Sequence, residues 1–392
     1  MRLFARALLA AGLIAPVMAG AQMATVGGTV FVDANANGVR DIGEKGVAHA
    51  VVSNQDTVVV TDANGSYHLP IGTTGVVSIS VPAGYTAVGA FWRPAVTATA
   101  IDFPLRPVAR GETFTFIHAS DTHIAPAAVA RTERFRAIVD SVKPDFVIVT
   151  GDLVKDALRV SEPEATSYYD LFQEQAKQFT VPLWTVPGNH ENFGIERDKS
   201  GVRADHPLYG RAMYRKYRGP DYYSFNFGGI HFVGLNSVDI EDQSYYGHID
   251  SVQVAWLKRD LAQIPPAMPV VTFNHIPFFT AMESMNGYTD NPPAPTLIAI
   301  RGKTQFRHTV SNAKEILGII GMSRYPIALG GHMHVREQLR YAGVPTRFDQ
   351  TAAVVGPAGG GVMAMPSGIT LYRVRAGKID DGTFIPMGID RK

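Results

Sequence analysis

Cysteine is absent from the 392 residues, which excludes disulfides, thiolate metal ligands and the acylated cysteine of a lipoprotein anchor. Net charge is nearly absent as well. The 36 basic and 35 acidic residues leave +1 with histidine neutral, so nucleic acid or an anionic membrane surface is not an expected partner. Long apolar runs are missing beyond the first residues. There, Arg2 and Arg6 precede the apolar stretch Ala7 to Val17 and the small-residue site Ala19-Gly20-Ala21, which reads as a signal peptide over 1–21. The stretch is short of the roughly 20 residues of a bilayer span, so the mature chain is expected to be periplasmic or secreted, without a membrane anchor. Loss of the two arginines would leave 34 basic against 35 acidic residues, a net charge of −1. With 46% hydrophobic residues, what remains can bury a substantial core as two domains, or as one with an appendage.

Two regions differ in pattern. Residues 22–108 are rich in Val, Thr, Gly and Ala, with β-type runs at Thr29 to Val32, Thr57 to Thr61, Val76 to Val81 and Val96 to Phe103. Helical periodicity is lacking, so a small all-β sandwich is expected. Asp62-Ala63-Asn64-Gly65 reads as a hairpin turn, because Asn-Gly supplies the positive φ that a tight turn needs. From 109 to 392 buried strands alternate with amphipathic helices, the pattern of an α/β layer structure. Strands are expected at Phe114 to Ser120, Phe146 to Thr150, Leu183 to Val186, Ile230 to Leu235, Val270 to Phe273 and Pro326 to Leu329. Apolar stripes through Phe135, Ile138, Val139 and Val142, through Tyr169, Phe172, Ala176 and Phe179, and through Val254, Leu257, Leu261 and Ile264 predict helices. Asp250, three residues before Gln253, gives the last one a capping-box-like start. Irregular stretches over 192–221 and 280–325 are long enough to be functional or to hold small elements of their own.

Five fragments carry chemistry: Asp121-Thr122-His123, Gly151-Asp152, Gly188-Asn189-His190-Glu191, Asn274-His275 and Gly331-His332-Met333-His334. Each follows an apolar run, and side chains at the carboxyl ends of parallel strands project into the crevice where open α/β sheets bind ligands. Imidazole, carboxylate and one carboxamide form a donor set suited to a pair of divalent first-row metals.

In this order the fragments resemble the blocks D-x-H, G-D, G-N-H-[DE], a lone His and G-H-x-H of the calcineurin-like metallophosphoesterase superfamily, over residues 113 to 392. The resemblance implies a four-layer α/β/β/α sandwich behind the small all-β domain. It also implies a dinuclear centre in which Asp121, His123 and His334 hold one metal, Asn189, His275 and His332 hold the other, and Asp152 bridges them. The expected reaction is hydrolysis of a phosphate-ester substrate, monoester or diester, by in-line attack of a metal-activated bridging hydroxide. His190 is expected to assist the leaving alkoxide. Glu191 is expected either to orient that imidazole or to face the surface. Manganese, iron, cobalt, nickel and zinc all suit nitrogen and oxygen donors.

Lys155 stands where the purple acid phosphatase branch carries a tyrosine, so a coloured ferric tyrosinate is not expected. His118 and His231 lie within strand patterns and read as packed residues, whereas His248 could face the cleft. Arg197, Lys199 and Arg203 are candidates for contact with substrate phosphate, against the plainer reading of solvated loop charges. Asp33, Asn35 and Asn37, with Gly38, Asp41 and Glu44, fit the oxygen-rich spacing of a calcium loop. The alternative there is a metal-free surface turn. A rival function on the same scaffold is a catalytically inactive periplasmic or surface binding protein. A metallo-β-lactamase-type zinc hydrolase is disfavoured, since H-x-H-x-D-H does not occur.

Overall fold

Strands that alternate large apolar side chains form two stacked sheets in the computed structural model of the protein, which describes residues 25–95, 100–109, 111–286, 296–356 and 365–388. The expected signal peptide lies outside the described residues, and so does part of the run Val96 to Phe103. In the first sheet Leu183–Val186, Phe146–Thr150 and Thr113–Ala119 run parallel, followed by the antiparallel strand Gly368–Arg375 with Lys378–Ile379 and Thr383–Pro386 beside it. The second sheet has the order Tyr223–Phe227, Ile230–Gly234, Val270–Phe273, Ile327–Gly330, Arg347–Gln350, Glu337–Arg340.

The period-two alternation of side chains explains the layers. Phe116, Phe146, Ile148, Val186, Phe232, Val271 and Leu329 fill the space between the sheets. Ile117, Val147 and Val149 instead face the helices Val129–Val142 and Glu162–Ala176 through Phe135, Val139, Tyr169 and Phe172. On the other side Val233, Val270 and Ala328 pack against Ser251–Leu261 and Ala313–Ile320 through Val254, Leu257 and Ile316. The architecture is the expected α/β/β/α sandwich. Asp250 caps helix Ser251–Leu261, its carboxylate accepting the Gln253 N–H at 2.9 Å, while the Gln253 side chain bonds the Asn236 backbone rather than completing the box.

The N-terminal module is a β-sandwich. One sheet has the order Ser66–Pro70, Thr25–Val32, Phe103–Pro107, Tyr85–Ala87, and the other Val58–Val60, Val51–Ser53, Val76–Ser80, Trp92–Pro94. The turn at Asp62 forms as expected, with the Gly65 N–H donating to the Asp62 carbonyl at 3.0 Å and Gly65 at φ +79°. It does not make a hairpin, because its two flanking strands belong to different sheets. The reason is local: the Gly65 carbonyl accepts the Val30 N–H at 2.8 Å, which hands the chain to strand Thr25–Val32.

The module shares its core with the larger domain, since Val52, Val77, Ile79 and Phe103 belong to the same apolar cluster as Phe225 and Phe232. Polar bonds fix the contact. The Gln55 amide donates to Asp221 Oδ1 at 3.0 Å and to the Tyr222 carbonyl at 3.1 Å, the Trp256 indole donates to Ser53 Oγ at 3.1 Å, and the Asn226 N–H donates to the Val81 carbonyl at 2.9 Å. Burial alone would raise the Asp221 carboxyl, but Arg215, Arg211 and the Asn236 amide hold it well below the usual carboxylate range.

Candidate metal centre

All five fragments leave their strands at the carboxyl end, and the residues meet there. Asp121 Oδ1 lies 3.1 Å from His334 Nε2 and 3.8 Å from His123 Nε2, and the two imidazole nitrogens are 3.2 Å apart. On the other side Asn189 Oδ1 and His332 Nδ1 each lie 3.1 Å from His275 Nε2. Asp152 stands between the groups, with Oδ2 3.5 Å from His123 Nε2 and 3.3 Å from His275 Nε2. Its other oxygen accepts the His190 N–H at 3.0 Å.

These spacings fit a bound cation on each side. Atoms that ligate one ion at about 2.1 Å with tetrahedral or octahedral angles lie roughly 3.0–3.4 Å from one another. Bringing nitrogens and carboxylate oxygens that close in a buried site is otherwise hard to satisfy, and Asp121 Oδ1 is buried with no hydrogen-bond donor. Burial opposes the charge on both carboxylates. The His334 and His123 imidazoles around Asp121, and those of His275 and His190 around Asp152, nevertheless hold both below the ordinary carboxylate range. Burial likewise opposes a proton on His275, but Asp152 raises it to about 9.

The backbone is bent to deliver these groups. Asp121, His123, Asp152, His332 and His334 all have φ between +39° and +72°, a region that costs a non-glycine residue on the order of 1 kcal/mol or more and gathers at functional sites. Two motif glycines are needed for close approach: a Cβ on Gly188 would stand 2.1 Å from Asp152 Oδ1, and one on Gly331 would stand 1.9 Å from Ser120 Oγ.

Partners around the cluster select which nitrogens face inward. His275 Nδ1 lies 2.7 Å from the Thr150 carbonyl, which requires a proton there, so a cation taking the place of the second proton would be held through Nε2. His332 Nε2 lies 2.6 Å from Nδ1 of His308, so a proton shared there leaves His332 Nδ1 facing His275. His308 comes from the irregular stretch 280–325, and its N–H donates to Glu283 at 3.1 Å. The length of that stretch marks it as functional or as holding small elements of its own, but nothing in the sequence singles out His308 beyond its being a lone histidine in an aperiodic loop.

His190 sits at the rim with 21% of its side chain exposed. Its Nε2 is 3.9 Å from Asp152 Oδ2 and its Nδ1 3.8 Å from Asp156 Oδ1. Glu191 requires a correction, for it neither orients His190 nor faces the surface. Its carboxylate turns back to accept the Gly188 N–H at 2.6 Å and the Val154 N–H at 3.0 Å. At the third position of the short 3-10 turn Asn189–Glu191, that is the reach of a capping box, and it ties the Gly151-Asp152 loop to the Gly188-Asn189 loop. Burial, with Asp152 nearby, pushes its carboxyl up to about 7.

The sequence model described as calcineurin-like phosphoesterase matches residues 114–336, and the one described as the N terminal of calcineurin-like phosphoesterase matches 34–105. The chain belongs to the calcineurin-like phosphoesterase family. Among its relatives, a probable glycerophosphodiester phosphodiesterase GpdQ from Arcobacter nitrofigilis is 24% identical over 189 residues, 43% of this chain and 60% of that protein. A probable cyclic nucleotide phosphodiesterase from Rhodococcus erythropolis is 22% identical over 242 residues, 58% of this chain and 67% of that one. Purple acid phosphatase 23 of Arabidopsis thaliana is 27% identical over 165 residues, 41% and 30% of the two chains. The chain thus spans about three fifths of the first relative's length.

The other candidate side chains of this calcineurin-like domain are engaged elsewhere. Lys155 is exposed, its ammonium 5.8 Å from the centre of the Tyr168 ring. His118 bonds Thr150 Oγ1 at 3.0 Å, and burial lowers its pKa to about 3. His231 is held by Asp260 and Asn226, both at 2.8 Å, and His248 by Ser311 at 2.8 Å. Arg197, Lys199 and Arg203 pair with Asp242, Glu196 and Asp205. In the N-terminal loop Asp33 accepts the Asn37 and Gly38 N–H groups, Glu44 accepts those of Ala34 and Asp41, and the Asn35 and Asn37 amides donate to Asp41. The clusters of acidic and histidine groups among the described residues that could hold an ion are those at the strand ends, around Asp121, Asp152 and their imidazoles. No helix of the described residues is long and apolar enough to cross a membrane.

Proposed function

We propose that the chain is an exported, metal-dependent phosphoric ester hydrolase, in which Asp121, His123 and His334 hold one divalent cation, Asn189, His275 and His332 hold a second, and Asp152 is shared. The observation that carries this is the position of Asp152 Oδ2 within 3.5 Å of an imidazole nitrogen from each group. Two cations bound there would polarise the phosphoryl oxygens and lower the pKa of a nucleophilic water. The chain's own residues prepare the site. Thr150 and His308 orient His275 and His332 with Nε2 and Nδ1 inward, and Glu191 locks the two loops that carry Asp152 and Asn189. His190, at the open edge, donates a proton from Nε2 to the leaving alkoxide as the ester bond breaks.

The family and the names of the relatives support ester hydrolysis at phosphorus, with monoester and diester activities sharing these ligands. Export rests on the charge and apolar pattern of residues 1–21, and protein recovered from a periplasmic or culture fraction is expected to begin at Gln22. The loop 33–44 is read as a calcium site on its spacing alone. For the main reading, elemental analysis of purified protein is expected to give about two manganese, iron, cobalt, nickel or zinc ions per chain, with turnover of p-nitrophenyl phosphate or bis(p-nitrophenyl) phosphate. Fewer than one ion together with no turnover under any of these metals points instead to a binding protein on this scaffold.

A further inference from the structure

A cleft of about 300 Å³ opens where the N-terminal module meets the calcineurin-like domain. It is built on the first residues of strands Phe146–Thr150 and Leu183–Val186, the ends opposite the metal centre. Four residue steps along Phe146–Thr150 separate the two sites by about 13 Å or more. The cleft's volume falls at the lower end of the range of small-molecule sites, which favour domain junctions.

Its walls are aromatic. Trp184 stacks on Phe225 with ring centres 3.9 Å apart, and Phe91 from the module leans on Trp184 at 5.0 Å and on Tyr223 at 4.7 Å. Trp92 closes one side, lying where a Cβ on Gly219 would touch its ring. One cation, Arg218, also lines the cleft. Its Nη1 donates to Gln173 Oε1 at 2.7 Å, its Nε to Thr185 Oγ1 at 3.3 Å, and its guanidinium carbon sits 5.3 Å from the centre of the Phe172 ring. Each of those partners is neutral, and among the described residues no carboxylate forms an ion pair with it. Arg215, three residues earlier, has Asp221 at 2.7 Å. A guanidinium stays charged at any ordinary pH, and a largely buried charge without an opposite charge is costly to keep.

We infer that this cleft binds a small planar aromatic anion, its ring against the wall that Phe91, Trp184 and Tyr223 form and its carboxylate or comparable head on Arg218. The aromatic walls supply area and ring-on-ring contact, and the guanidinium supplies a charge-assisted hydrogen bond for a head that neutral acceptors do not replace. The site is separate from ester hydrolysis and does not depend on it.

Isothermal titration calorimetry on the full-length, metal-loaded protein tests this with naphthalene-2-carboxylate, the neutral naphthalene-2-carboxamide and inorganic phosphate. The acid is expected to bind one to one, at least about tenfold tighter than the amide, and saturating phosphate should leave that affinity unchanged. Arg218→Gln should remove the preference for the acid. Ala87→Trp, which adds an indole to the cleft wall from the module side, should abolish binding of both compounds and leave ester turnover as it was. No saturable binding, equal affinity for acid and amide, displacement by phosphate, or full binding to Ala87→Trp would each overturn the proposal. Should Arg218→Gln fail to fold, Ala87→Trp and the acid-to-amide ratio decide it.

Discussion

At the carboxyl ends of the strands, five of the seven clustered side chains stand on positive-φ backbone, and their nitrogens and oxygens crowd to within 3.1–3.8 Å of one another. At the module junction the chain is held differently, by stacked rings, a shared apolar core and hydrogen bonds such as Gln55 to Asp221. The first region concentrates backbone strain and charge that a bound ion would relieve. The second satisfies itself through packing, apart from Arg218. A site that needs a ligand to balance it is chemically restricted in its residues, whereas a packed junction tolerates many sequences of the right volume.

Substitutions can separate the two regions. The largest effect is expected from His190→Ala, which should lower kcat by about 10² to 10⁴ while metal content and melting temperature stay as in the parent. Steady-state kinetics beside elemental analysis checks this, and a loss of metal would reassign His190 from proton donor to ligand. His308→Ala removes the partner that selects the inward nitrogen of His332. Metal affinity, measured by competition with a chromogenic chelator, should fall by about 10- to 100-fold, with His308→Gln recovering part of it through its amide oxygen.

At the other region, Asp221→Asn should leave metal content and kcat alone but cost about 2 kcal/mol of stability in urea, since Arg215 loses its partner and is itself only partly buried. The sign of its pH dependence follows from the depressed carboxyl. A group whose folded pKa is lowered contributes stability that is present above its unfolded pKa of about 3.9 and fades as pH falls toward the folded value. The parent's advantage over Asp221→Asn should therefore be full at pH 7 and shrink below about pH 4. The smallest effect belongs to the loop 33–44: 10 mM calcium should raise the melting temperature of the full chain by about 2–4 °C, and by clearly less in Asp33→Asn. Equal shifts in both proteins would assign the calcium effect to another place.

Much of this was legible because chemistry and periodicity restrict residue identity. The parallel strands Phe146–Thr150, Leu183–Val186 and Val270–Phe273 coincide with apolar runs, since a strand buried on both faces is mostly apolar. The histidines and acids that cluster could be named from five short fragments, because few side chains can bind a cation. What escaped depended on long-range partners. The Asp62 to Gly65 turn forms, but which sheet its outgoing strand joins is decided by Val30, more than 30 residues away. Glu191 looked poised beside His190 in sequence, yet backbone N–H groups of Gly188 and Val154 lie closer to its reach. Strand Gly368–Arg375 alternates Ile369, Leu371 against Thr370, Tyr372 and was open to being read. Its insertion beside Thr113–Ala119, some 250 residues upstream, was not. The module's docking face gave no signal, since Gln55, Trp256 and Phe225 are ordinary in isolation.

Anomalous scattering from crystals grown with manganese shows whether two cations share Asp152. Two peaks about 3.5–4 Å apart are expected, one among Asp121, His123 and His334, the other among Asn189, His275 and His332, with Asp152 Oδ2 touching both. A single peak, or two peaks that Asp152 does not join, would contradict that arrangement.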